Sequence, residues 1–406
     1  MHPPIRPLII FLAALGAIAF GTACQPAESD STAEQVGPRP PLPEDYIDYG
    51  LLNIDGELLH PRPQDTRERS WEERATFVKQ MGGSPDSDVQ EQELLYTPLG
   101  LVVSDDEQFA YVVDRGRLQV RVFDLARGVF VRSVGKGEGE GPGEFRDIRK
   151  ISVDRDGGVT VLDTRRRLTR FASDGSIEGQ LKFKYHAFSF AAVDSGYVLL
   201  SGLNYPEVFH ALDRTGNVRW SKGAFARNPL LNLGMTGNLI DSEDGFVWVG
   251  FYAGRFAGFD RDGGVRFYRE TIYPTPPPRM EGRTLAPVEG PVRARVPVNT
   301  NDGELFVTIA DTSIGQDKLS PFVDAFSMTD GSYRYTIPNP DDGASCSIWY
   351  VTREHLYTMC IEEGTLKQWK RSRELRWRGI EEDKKIGGGR AGRGWKLSRS
   401  VLRRYS

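Results

Sequence analysis

The chain has 406 residues, 39% of them hydrophobic and 27% charged, and a formal net charge of −4. Eight positive charges lie in the tail Lys384–Ser406; with these and Arg6 set aside the remainder carries −13, which argues against nucleic acid as a ligand. C-x-x-C, H-E-x-x-H and G-x-S-x-G motifs are absent from the sequence, so zincin chemistry and nucleophilic hydrolysis have no support.

At the N-terminus, Arg6, the apolar run Leu8–Phe20 and the small residues Gly21-Thr22-Ala23 read as a secretory signal over residues 1–23, too short to span a membrane. Cys24 follows directly and resembles the processing site of bacterial lipoproteins, at which it would be lipidated and become the mature N-terminus. An ordinary cleaved signal is the competing reading. Residues 24–49, rich in Pro, Ser, Glu and Gly, are expected to form a flexible tether. These features predict an exported, membrane-anchored protein of the bacterial cell envelope, on the outer-membrane or periplasmic side.

Residues 50–93 form an N-terminal extension. Ser70 with Glu73 makes a capping box, the stripe Trp71, Ala75 and Val78 has helical spacing, and Gly82-Gly83 stops it, so a short helix is predicted over 70–81.

Residues 94–373 carry an internal repeat. Leu94-Leu95-Tyr96 is expected to open the ring and to complete its last blade. Six times a short apolar strand is followed about a dozen residues later by another ending in an aromatic residue or leucine, in steps of roughly 40 to 60 residues, the period of propeller blades. Aligning on the second strand places Tyr111, Val159, Tyr197, Val247, Phe306 and Leu356 in register, with partners Phe123, Phe171, Leu212, Phe259, Phe326 and Trp369. The expected fold is therefore all-β, a six-bladed β-propeller with blades near 97–134, 148–183, 190–220, 237–268, 296–336 and 344–371. The connection 273–297 holds seven prolines and is expected to be a loop. The basic tail 384–406 lacks apolar periodicity and is expected to be disordered.

In a four-stranded blade, the first and third turns lie on one face of the ring, and the middle loop and the link to the next blade lie on the other. Asp154–Gly157, Asp241–Gly245 and Asp260–Gly264 fall on the first face and read as turn chemistry, not as catalytic carboxylates. The opposite face collects Arg115, Arg117, Arg165, Arg166, Arg167 and Arg255 with Tyr205 and Tyr252. Arginine suits bidentate contacts with oxyanions, and tyrosine adds flat amphipathic area, so this rim is the candidate binding surface. Pairing of each arginine with a neighbour such as Asp114 or Asp163 is the equally weighted alternative. Cys346 and Cys360 flank two predicted strands joined at Thr352–Glu354, and in an oxidising compartment they are expected to be bridged rather than free.

The string Gly135–Phe145 has G-x-G-x-x-G-like spacing, but Pro142 and its acidic residues argue against a phosphate loop. With Ile151–Asp154, the Asp156-Gly157 turn, Val159–Asp163, Leu168–Phe171 and Asp174-Gly175, it resembles one NHL repeat. The whole chain is similar to bacterial six-bladed β-propeller lipoproteins related to NHL proteins. That resemblance implies a binding or scaffold protein, taken here as a monomer with no cofactor, whose ligand is a protein, a glycan or a small anionic molecule. The alternative it permits is a lactonase-like or lyase-like enzyme with a divalent cation in the channel. Only His60, His186, His210 and His355 follow the signal, widely spaced, and no metal-ligand pattern emerges.

Overall fold

The computed structural model describes residues 49–376, apart from 164–165, 195, 202–204, 227–228, 276, 282–283, 287–292, 312–321, 342–345 and 373–374. The signal, Cys24, most of the tether and the basic tail lie outside these residues.

Six antiparallel four-stranded units make up the ring, the first five as β-meanders, and the sheet of the fifth is extended by Trp71–Glu72, parallel to Tyr333–Pro338, and by Leu375–Arg376. Blade one comprises Pro98–Val103, Phe109–Asp114, Gln119–Asp124 and Val129–Val134; blade two comprises Ile148–Val153, Val159–Asp163, Arg167–Phe171 and Ile177–Lys182. Blade three spans Ala187–Val193 to Val218–Lys222, blade four Gly237–Ser242 to Val265–Glu270, and blade five Arg293–Asn301 to Tyr333–Pro338. Blade six has Cys346–Val351, His355–Cys360 and Thr365–Lys370, and its outermost strand is Thr76–Gly82 from the other end of the chain. The first strand of each blade touches the first strands of both neighbours, so the ring is closed around a central channel.

Each blade is a sheet with both faces covered. Along blade four, Phe246 and Trp248 pack toward blade three while Val247 and Val249 pack toward blade five, the period-2 alternation of a strand. The core is accordingly divided into six apolar clusters, one between each pair of neighbouring blades. No single cluster belongs to one blade, which is why one repeat cannot stand alone.

A β-bulge recurs in all six blades between the third and fourth strands, just before the aromatic or leucine of the third: at Phe123, Phe171, Leu212, Phe259, Phe326 and Trp369. The residues left over on the outer strands are Val131, Glu178, Arg219, Arg266, Arg334 and Val78.

Several sequence expectations need correction. The segment 70–81 is not a helix: Trp71–Glu72 and Thr76–Gly82 are strands. The bulge at Val78 breaks the strand alternation and leaves apolar residues at helix-like intervals, while pairing with Thr365–Lys370, remote in sequence, decides the conformation. Leu94–Tyr96 does not complete blade six; Leu94 bridges Gly83 only, and Leu95 is buried between blades six and one. The propeller therefore begins within the extension, not at residue 94. The connection 273–297 contains the hairpin Arg279–Glu281 with Thr284–Ala286, and blade five starts at Arg293, with Pro297 accommodated at a bulge. The aligned pairs Val159–Phe171, Tyr197–Leu212 and Leu356–Trp369 do face each other, but Tyr111, Val247 and Phe306 face Val122, Gly258 and Ala325, one position away. With both faces buried, consecutive apolar residues leave the register unmarked in the sequence.

Before it reaches blade six, the N-terminal segment is strapped along blades three to five. Gly50 N donates to Phe225 O at 2.8 Å and Asn53 N to Ala224 O at 2.8 Å. Gln64 Nε2 donates to Glu270 O and Gly331 O, and Arg69 makes a two-pronged pair with Asp324 at 2.9 Å. The strap ends in Glu72, which is buried against Arg371.

Candidate functional site: the loop face and the channel

The predicted rim residues that the structure describes do not form one patch. Arg115 and Arg117 meet in an open cleft of about 470 Å³ between blades one and two, lined also by Gly116, Leu118, Glu138, Arg146 and Asp147. One wall is the Gly-rich link. It folds back on itself through Lys136 N to Gly143 O at 2.7 Å and Phe145 N to Gly137 O at 2.9 Å, and buries Phe145 against Phe171. A side chain at Gly135, whose φ is +94°, would meet the Phe145 ring at 2.5 Å, so this position requires glycine.

Asp147 sits between two guanidiniums, pairing with Arg115 and, at 2.5 Å, with Arg149. Burial and the nearby Arg115 push the Arg149 guanidinium below its ordinary value against the opposing pull of Asp147. Arg117 lies over the Tyr96 ring at 4.6 Å and donates to Glu91 O at 3.2 Å, and its Nε–H has no protein acceptor. Behind it, buried Arg121 donates to Ser133 Oγ and Gln92 O, and is pushed down by burial and by the charge of Arg117. Arg146 is well exposed and pairs with Glu140. Leu118 is held at φ 51°, a conformation that costs a bulky residue energy and marks this wall as constrained.

The other rim residues stand elsewhere. Arg167 is 9% exposed; it pairs with Asp163 and donates to Glu140 O and Glu144 O, fixing the Gly-rich link from behind. It is an internal brace: of the two readings, exposed rim cation or partner of Asp163, the second holds for this residue. Arg166 is exposed, and Arg165 lies outside the described residues. Arg255 donates to Gly50 O at 2.6 Å and holds the N-terminal strap. Tyr205 packs against Tyr185 and His210, and burial raises the Tyr252 phenol. The Asp114 carboxylate accepts from the backbone N–H of Tyr96, Thr97 and Gly116, and its charge opposes the lowering of the Arg121 guanidinium.

In blade three, His210 is enclosed between Ser201 Oγ and Ser221 Oγ, each at 2.8 Å, and stacks on Tyr185 at 3.7 Å. Burial, with Lys184 adding to it, lowers this imidazole to about 4.

The channel is spanned by charged groups that the sequence reading missed. Lys150, on the inner strand of blade two, donates to Phe190 O of blade three at 2.7 Å and to Leu239 O of blade four. Asp241, expected in a turn, lies in the inner strand of blade four; it accepts from Ser152 Oγ and, at 2.8 Å, from Ala192 N. Loss of hydration lowers Lys150 to about 8, with Asp241 opposing the shift. No motif in the sequence marked Lys150 or Asp241 as channel residues.

The opposite face bears the turns. Asp154 and Asp260, expected in turns, accept backbone N–H groups of those turns, and Asp174, Asp213 and Asp330 do the same in theirs. Asp341, Cys346 and Cys360 lie together, with ligand atoms within 4.8 Å, but the two cysteines are disulfide-bonded and Lys367 Nζ holds Asp341 at 2.9 Å. That group is a bridged pair beside an ion pair, and its donor set does not fit a metal.

Residues 92–207 match the DUF5128 family, described as a 6-bladed beta-propeller. No curated protein matches the chain. Among solved structures, a Bacteroides fragilis protein shares 9% identity, with 76% of this chain and 98% of that one covered and a TM-score of 0.47. A member of the duf4221 family from Bacteroides vulgatus shares 10% identity, covering 81% and 99% with a TM-score of 0.47. The β-propeller domain of Cps50 (Swd1) from Myceliophteria thermophila shares 10% identity, covering 74% and 99% with a TM-score of 0.41. From its six four-stranded blades and the family match across the first of them, the chain is a six-bladed β-propeller.

Proposed function

We propose that this is an exported cell-envelope propeller, tethered by a lipid on Cys24, that binds a polar or anionic group of a protein, glycan or small-molecule partner in the cleft between blades one and two. The observation that carries the reading is the convergence of Arg115, Arg117 and Arg146 on that cleft. Guanidiniums present several donors in a fixed fork, and a fixed fork matches carboxylate, sulfate or phosphate oxygens. Leu118 held at a strained φ in the same wall agrees with a surface shaped for contact.

Binding is favoured over metal-dependent catalysis by what fills the channel. The carbonyls of Phe190 and Leu239 already accept from the Lys150 ammonium, and both oxygens of Asp241 hold protein donors. A divalent ion would have to displace an ammonium from its own oxygens. The test is a screen of acidic peptides and sulfated glycans against the protein and an Arg117→Glu, Arg146→Glu variant. Capture that weakens with salt and is lost in the variant, with unchanged Tm, supports the reading; equal capture by both proteins overturns it. Cys24→Ser should release the protein into the soluble fraction, and unchanged membrane association would count against the lipid.

A further inference from the structure

Two independent features give the ring a polarity. The first is the point at which the chain joins it. Gly50 is fixed on the loop face, its N–H donating to Phe225 O and its carbonyl accepting from Arg255 Nη1 and Tyr268 OH, both at 2.6 Å. Beside it, the Tyr49 hydroxyl donates to Pro278 O at 2.7 Å. Phe225 and Pro278 belong to blade-to-blade links, so the described chain begins, at Tyr49, on the loop face. The second feature is charge. On the turn face, the first turn of every blade presents an exposed carboxylate: Asp105, Asp156, Asp194, Asp244, Asp302 and Glu354. That face also exposes Arg127, Arg155, Arg214, Arg261 and Arg353, and Asp105, Asp194 and Asp244 pair with Arg155, Arg261 and Arg266, but its exposed carboxylates outnumber its arginines. The loop face exposes Lys136, Arg146, Arg166 and Lys184 beside Glu138 and Glu140.

We propose that the loop face is the membrane-facing surface of the ring and that the carboxylate-bearing turn face points away from the bilayer. The proposal rests on the lipid tether at Cys24. Residues 25–48 can span at most about 80 Å, and presenting the turn face would oblige this segment to pass around the outer edge of the ring. Anionic headgroups attract cations near the surface and repel a crown of carboxylates, so electrostatics favours the same orientation. The partner of the loop face is then an anionic bilayer surface, and the cleft between blades one and two opens toward it.

The experiment uses the full-length, lipid-bearing protein on vesicles of phosphatidylcholine mixed with phosphatidylglycerol. Fluorophores are placed singly through Glu138→Cys on the loop face or Thr215→Cys on the turn face, and energy transfer to a dye-labelled lipid is read. Stronger transfer from the Glu138 position is expected. The difference should shrink when Lys136→Glu, Arg166→Glu and Lys184→Glu are combined, and on vesicles of phosphatidylcholine alone. Equal transfer from the two positions, or stronger transfer from Thr215, overturns the orientation while leaving the tether intact. Failure to sediment with vesicles overturns the tether and the orientation together.

Discussion

Glu72 and Arg371, 299 positions apart, make a two-pronged ion pair at 3.0 and 2.7 Å with both side chains only 2% exposed. Arg371 also donates to Thr352 O and to the Tyr335 hydroxyl, which in turn donates to Glu304. The pair joins the N-terminal strap to the end of the last blade, beside the strand Thr76–Gly82 that completes it. Glu72→Ala should cost about 3 to 5 kcal/mol, because it leaves a buried guanidinium without its counter-charge. Chemical denaturation of the variant and of a Glu72→Met, Arg371→Met double variant checks this; the double variant should recover much of the loss.

Arg167 and its neighbour Arg166 should behave oppositely. Arg167→Ala removes the brace between Asp163 and the carbonyls of the Gly-rich link, and is expected to destabilise by about 2 to 4 kcal/mol. Arg166→Glu, at an exposed position, should stay within about 0.5 kcal/mol of the parent. Thermal unfolding of the two single variants decides the matter, and equal Tm values would contradict the placement of Arg167.

His210 sets an acid limit. Its folded-state value near 4 lies below that of an ordinary histidine near 6.5, so the unfolded chain takes up the proton first as pH falls. The stability this group contributes is full above pH 6.5 and drains away toward pH 4, by about 3 kcal/mol. A His210→Gln variant should show a shallower pH dependence across that window, measured as denaturation midpoint against pH; parallel curves would refute the assignment.

Cys346 and Cys360 face each other on adjacent strands of blade six and are bonded. Thiol labelling of the unfolded, unreduced protein should therefore modify neither. Replacing both by alanine should cost about 3 kcal/mol by loop-closure entropy.

Much of the ring was legible in the sequence, because turn residues and strand pairs recur locally: Asp156-Gly157 and Asp174-Gly175 mark blade two without any tertiary information. What was hidden depends on partners far along the chain. Thr76–Gly82 looks helical until Thr365–Lys370 is beside it, and Lys150 has no visible role until the inner strands of blades three and four supply Phe190 O and Leu239 O. Among the described rim arginines, Arg115 and Arg117 share one cleft, while Arg166, Arg167 and Arg255 stand elsewhere. The pairing of Arg167 with Asp163 was one of the two readings the sequence left open; its contacts with Glu140 O and Glu144 O, and that of Arg255 with Gly50 O, could not be read, since backbone oxygens carry no sequence signature.

The repeated bulge opposite Phe123, Phe171, Leu212, Phe259, Phe326 and Trp369 governs how this protein meets others. An outer strand with a regular row of free amides and carbonyls invites another chain to extend the sheet, whereas one interrupted and twisted by an extra residue does not. Five outer edges are interrupted at the same level, and in blade five the bulged strand is itself covered by Trp71–Glu72, with Leu375–Arg376 outside it, so the circumference is expected to resist fibril-like stacking and strand capture alike. A partner is therefore expected to meet the ring at an end of the channel axis rather than by adding a strand to its circumference.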